Sequence, residues 1–172
     1  MIQRPFVLMV MGVSGSGKTT LATALARSLN VAFEEGDTLH PPANVAKMKA
    51  GQPLSDDDRA PWLARVKEWI ETHLDHGQSG IITCSALKRA YRDVLRANRA
   101  NVVFVYIDGD ESLIRQRLSG RKGHFMPPSL LSSQFATLEP PTENEHPIVV
   151  SAADTPSEQV RKAIEALTLR LR

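Results

Sequence analysis

Eight consecutive residues carry the clearest chemistry in this sequence: Gly12, Val13, Ser14, Gly15, Ser16, Gly17, Lys18 and Thr19. They match the pattern G-x-x-x-x-G-K-[ST] at every fixed position. Glycines let the main chain wrap closely around an anion, in conformations that side chains obstruct. Successive N–H groups then point inward at phosphate oxygens. A helix opening near Lys18 adds the positive end of its dipole. Lys18 supplies a point charge for the outer phosphates, Thr19 offers a hydroxyl to Mg²⁺, and Thr20 continues the cradle. The context is also right, with the apolar run Phe6–Met11 before the loop and Leu21, Leu25 and Leu29 at helical spacing after it.

Three further groups of residues have types and spacings suited to a reacting partner. Asp37 stands just beyond the short run Val31–Phe33, with His40 nearby. A carboxylate there can orient an attacking hydroxyl, accept its proton, or hold water on Mg²⁺. Asp56, Asp57 and Asp58 precede Arg59, Pro61 and Trp62. Ser55 or one of the acids is expected to cap a helix, with Pro61 in its first turn. Arg59 brings a planar fork that grips carboxylates or hydroxyls. Ser85, Lys88, Arg89 and Arg92 follow the run Gly80–Cys84, and Lys88 and Arg92 are four apart, on one helical face. Finally, Arg115, Arg117, Arg121 and Lys122 lead into Gly123, His124 and Phe125. Gly120 and Gly123 can hinge a segment that brings arginine to a moving phosphoryl group and excludes water. A solvated basic helix end accounts for that last pattern equally well.

The elements that must position these groups alternate along the chain. Five short apolar runs (Phe6–Met11, Val31–Phe33, Gly80–Cys84, Val102–Ile107 and Ile148–Val150) are separated by segments with helical periodicity. That alternation predicts an α/β fold, a five-stranded parallel sheet with helices on both faces. The first and fourth runs are apolar nearly throughout, as in strands covered on both sides. No apolar run ends in an Asp placed as a Walker B metal ligand; the third ends Cys84-Ser85. The 172 residues fit one domain, residues 1–172. The segment at about 40–60 reads as a substrate-binding insertion and that at about 117–130 as a mobile lid. With a net charge of +2, whole-protein charge gives no argument for nucleic acid or membrane. The single cysteine, Cys84, excludes an internal disulfide and reads as a buried core residue. The amino terminus lacks a signal-peptide pattern, and the default compartment is cytoplasmic.

Together these strings resemble the gluconokinase family of small P-loop kinases. The resemblance rests on Gly12 to Thr19, Gly36-Asp37, Leu39-His40-Pro41, Lys47-Met48 and Gly51-Gln52-Pro53-Leu54. It continues through Asp56-Asp57-Asp58-Arg59, Pro61-Trp62-Leu63, Cys84-Ser85-Ala86-Leu87-Lys88 and Tyr91-Arg92-Asp93. Arg121-Lys122-Gly123-His124-Phe125, Gln134-Phe135 and Leu138-Glu139 complete it. It implies a three-layer P-loop NTPase fold of the nucleoside-monophosphate-kinase and shikimate-kinase type, ATP and Mg²⁺ as cofactors, and commonly a homodimer. It implies phosphoryl transfer to the 6-hydroxyl of D-gluconate, giving 6-phospho-D-gluconate. Carried over by position, Lys18, Asp37 and Arg121 would be catalytic, Thr19 the metal ligand, and Arg117 would face the nucleotide. Asp37, His40, Arg59, Ser85, Lys88, Arg92 and His124 would surround the substrate. The readings left beside it are a kinase for shikimate or another aldonate, and a nucleotide-dependent switch or binding module.

Overall fold

A computed structural model of the chain describes residues 1–120 and 128–172. Strand β1 (Val7–Met11) leads into helix α1 (Lys18–Leu29), then β2 (Ala32–Glu35), a one-turn 3₁₀ helix (Gly36–Leu39) and α2 (Pro42–Lys49). Next come α3 (Asp56–Asp75), β3 (Gly80–Thr83), α4 (Arg89–Arg96), β4 (Val102–Asp108) and α5 (Glu111–Ser119). Helix α6 (Pro128–Thr137), a 3₁₀ turn (Glu143–Glu145), β5 (Ile148–Ser151) and α7 (Pro156–Arg170) complete the described chain.

The sheet order is β2-β3-β1-β4-β5, and every neighbouring pair is parallel. Burial follows from that order. β1, β3 and all but the last residue of β4 are buried, because helices cover both faces. The edge strand β5 alternates buried and exposed. β2, at the other edge, is at best half-buried, which is why its apolar signal in the sequence is weak.

Alternate β1 side chains serve two cores. Leu8 and Val10 pack with Leu21 and Leu25 of α1, Ile114 of α5 and Leu167 of α7. Val7, Met9 and Met11 pack with Trp62, Val66 and Ile70 of α3 and with Tyr91 and Leu95 of α4. The expected three-layer architecture is therefore present.

Helix α3 starts where the acidic triplet implied. Ser55 caps it, its hydroxyl accepting from the Asp58 N–H, while the Asp58 carboxylate accepts from the Ser55 N–H. One detail differs from expectation. Because capping occurs at Ser55, Pro61 falls inside the helix rather than in its first turn. The parallel arrangement brings the carboxyl ends of β1, β2 and β3 to one edge, where their loops form the site.

Candidate active site

Beyond β1 the main chain turns through Gly12, Gly15 and Gly17, with φ of 146°, 80° and 101°. L side chains rarely adopt these angles. Gly15 meets a second restriction, since a Cβ there would lie 2.6 Å from Leu118 Cγ. The last turn of α5 thus closes onto the loop through Leu118, while Arg117, next to it in the chain, is exposed. Lys18 Nζ folds back to donate to the carbonyls of Gly12 (2.9 Å) and Val13 (3.0 Å). Burial lowers the pKa of this amine below the ordinary lysine value, against the opposing pull of Asp37 and Glu35. The Ser16 hydroxyl is buried and, among the described residues, is the one such side-chain polar atom without a partner. That oxygen lies against Gly12, where a Cβ would meet it at 2.9 Å.

Thr19 Oγ1 donates to Glu35 Oε2 at 2.7 Å, and Glu35 also accepts from the Thr83 hydroxyl. A threonine hydroxyl that gives its proton to a carboxylate keeps its lone pairs for a cation. Sequence reasoning missed Glu35 because it sought an acid at the end of a long apolar strand. The carboxylate comes instead from the edge strand β2, and its signal was the adjacent Gly36-Asp37.

The 3₁₀ turn after β2 presents Asp37. Its position is set by Gly36, whose N–H donates to Thr83 Oγ1 (3.1 Å) and whose carbonyl accepts from Trp62 Nε1 (2.9 Å). His40 follows, buried and stacked on Trp62 with ring centroids 4.1 Å apart. From α3, Arg59 donates to the Tyr91 hydroxyl at 3.0 Å and lies over the Tyr91 ring. Asp56 accepts from the same hydroxyl and from Lys88 Nζ at 3.0 Å. The Ser14 N–H donates to Gln134 Oε1 of α6 at 2.6 Å, tying the phosphate loop to a distant helix.

Two clefts result. One is lined by Gly15, Gly17, Thr19, Thr20 and Glu35, the other by His40, Arg59, Trp62, Ser85 and Gln134. Ser14, Lys18 and Asp37 line both. The two clefts thus meet across one ammonium and one carboxylate, an arrangement suited to in-line group transfer.

Comparison with known proteins agrees with this geometry. A family model described as an AAA domain matches residues 7–141. A gluconokinase of Gluconobacter oxydans is 54% identical over 153 residues, covering 89% of this chain and 86% of that protein. The chain belongs to the gluconokinase family. The thermoresistant gluconokinase of Escherichia coli is 44% identical, covering 90% of this chain and 88% of its own length. The crystal structure of a gluconokinase from Sinorhizobium meliloti superimposes with a TM-score of 0.88 at 43% identity, covering 97% of this chain and 94% of that one.

In this gluconokinase-family chain, most described candidate residues converge, and Arg92, Lys88 and Arg117 do not. Arg92, expected to face substrate, turns inward and is 0% exposed. Its Nε and one terminal nitrogen donate to Glu145 at 2.7 and 3.1 Å, and the other to the carbonyls of Ala86 (2.8 Å) and Leu87 (3.2 Å). The reason is helical geometry. Lys88 is the N-cap of α4, so it leaves the helical face that Arg92 shares with Leu95. Lys88 itself lies outside the cleft lining, held by Asp56 beside the Tyr91 ring. Arg121 and His124 fall outside the described residues. Cys84 is buried with its thiol pushed up to about 12, chiefly by burial, as befits a core residue.

Proposed function

We propose that this protein is a gluconokinase, transferring the terminal phosphoryl group of ATP to the 6-hydroxyl of D-gluconate with release of ADP and 6-phospho-D-gluconate. The observation that carries the reading is the meeting of the two clefts at Ser14, Lys18 and Asp37. The residues present fit a magnesium nucleotide. The loop between Gly12 and Thr19 offers amides and the Lys18 ammonium to phosphate, and Thr19, steadied by Glu35, offers a hydroxyl to Mg²⁺. Bound Mg·ATP supplies the transferable group and neutralises part of its charge.

The chain's own residues do the rest. Lys18 exchanges the Gly12 and Val13 carbonyls for phosphate oxygens and stabilises charge in the transition state. Asp37, across the boundary of the two clefts, accepts a hydrogen bond from the attacking hydroxyl and aligns it. Arg59 receives the carboxylate or hydroxyls of the sugar acid, backed by Tyr91. Ser85 and His40 wall the same cavity. Arg121, His124 and Arg117 belong to the proposed lid, which would bring positive charge and exclude water. The same proposal includes a cytoplasmic homodimer, checked by sedimentation of the purified protein.

The deciding experiment is ADP release by purified protein with Mg·ATP and gluconate, set against related aldonates, shikimate and no acceptor. Gluconate-dependent ADP release with 6-phosphogluconate as product is expected. Equal ADP release with and without every acid tested would sink the reading.

A further inference from the structure

His40 shares its cavity with Lys18, Asp37 and Arg59, yet its ring hydrogen bonding is fixed from behind. Asn44 is 4% exposed and lies one turn along α2 from the end of the Gly36–Leu39 turn. Its Nδ2 donates to the Asp58 carbonyl at 2.8 Å. A main-chain carbonyl only accepts, so this contact defines which end of the Asn44 amide is the NH₂ group. The same Nδ2 meets His40 Nδ1 at 3.2 Å. An NH₂ group only donates, so Nδ1 must be the acceptor and carry no proton. In a neutral imidazole the proton then resides on Nε2. Nε2 has no hydrogen-bond partner among the described residues and is the ring nitrogen left to meet whatever fills the cavity.

We propose that Asn44 is a positioning residue that locks His40 as the Nε2–H tautomer, so that the imidazole reads substrate as a neutral hydrogen-bond donor to a hydroxyl or carboxylate oxygen of the sugar acid. This rests on the functional reading above and names part of its specificity. Trp62 holds the ring plane by stacking at an interplanar angle of 16°. The charges around the ring agree with a neutral donor. Burial and then the Arg59 guanidinium push the His40 pKa down to about 4. Lys18 and Asp37 face the same cavity, while Asp58 turns its carboxylate to Lys47 at 2.8 Å and not to the ring. A neutral ring adds no charge to the cationic pocket, so it discriminates by geometry and keeps one form throughout the physiological pH range.

The test uses ¹⁵N-edited spectra of the ring nitrogens in the native protein, with the His40 signal assigned among the five histidines through His40→Gln. The expected result is an unprotonated Nδ1, a protonated Nε2, and no titration from pH 5.5 to 8. A protonated Nδ1, or titration near the ordinary histidine value, overturns the proposal. In Asn44→Asp a carboxylate replaces the donor and favours the imidazolium. The His40 pKa should then rise into the measured range, and the gluconate KM of the variant should change by about threefold or more over that range, relative to the native profile. An unchanged tautomer and pH profile in this variant also overturns it. An Nε2–H ring in a protein that phosphorylates no gluconate would defeat the substrate reading alone. Gluconate phosphorylation with an Nδ1–H ring would defeat this inference alone.

Discussion

Glu145→Gln separates two accounts of Arg92, one as a ligand of substrate and one as an internal brace. The side chains of Arg92 and Glu145 are each 1% exposed. Glu145 accepts two hydrogen bonds from Arg92 and a third, at 2.9 Å, from the Thr142 N–H. The glutamine keeps the shape but leaves the guanidinium buried without its counter-charge. Removing one partner from a buried pair costs about 3–5 kcal/mol. Arg96, 3.8 Å from Glu145 and partly solvated, offsets little of that. For a chain of this length each kcal/mol moves Tm by about 2–4 °C, so a fall of roughly 6–20 °C is expected. Thermal unfolding by circular dichroism measures it, with gluconate KM determined on the same samples. Arg92→Leu should behave alike, and the double variant Arg92→Leu/Glu145→Leu should be less damaged than the sum of the singles. The pH dependence has a definite sign. Burial alone would raise the Glu145 carboxyl pKa, but the Arg92 hydrogen bonds and the Thr142 amide hold it below the ordinary value. The pair's stabilisation is therefore complete above the ordinary carboxyl range and fades as pH falls below it. An unchanged Tm with gluconate KM raised about tenfold or more, some 1.4 kcal/mol of binding, would refute the brace and return Arg92 to the substrate.

Lys18→Ala and Asp37→Asn should each reduce kcat at least about a hundredfold in a coupled ADP assay, and near-native turnover in either removes its assigned role. Gly36→Ala would place a Cβ 1.8 Å from the Thr83 carbonyl oxygen, so its Tm should fall by at least several degrees, and a native melting curve would contradict the packing. Gln134→Ala frees the Ser14 N–H and should lower kcat/KM for gluconate about fivefold, with little change in Tm; the reverse pattern would make Gln134 a purely structural contact. The Asp58 carboxyl is held down to about 2, first by its hydrogen bond from Lys47 and then by the Ser55 amide. Its stabilisation is present above 3.8 and is lost as pH falls towards 2, so Asp58→Asn should flatten acid unfolding in that window.

Much of this was legible in the residues, and the failures share a cause. The phosphate loop has a local signature because its function is carried by main chain, which only particular residue types permit. Strand and helix order follow periodicity, and β1 and β4 could be read directly because double cover makes them apolar throughout. Glu35, Tyr91 and Asn44 escaped because their roles come from partners distant in sequence or from a single hydrogen bond. Thr83 lies 48 residues from Glu35, and Tyr91 lies 32 from Arg59. Arg92 misled for the same reason. Its spacing from Lys88 is helical, but the helix begins after Lys88, and its counter-charge arrives from a turn 53 residues away. A cation's sign and spacing are visible in a sequence, whereas the direction it faces depends on where its anion lies.

The indole of Trp62 has a consequence for anyone studying ligand entry. It is one of two tryptophans, 1% exposed, with its N–H on the Gly36 carbonyl and its face on the His40 ring. Its emission is thereby coupled to the acceptor wall by contact. Trp69 lies instead against His73 and Gly80, at the amino end of β3, the opposite end of the strands from the phosphate loop. Exchanging Trp69 for phenylalanine would leave a lone tryptophan at the cavity, able to follow arrival of the sugar acid in real time without any attached dye.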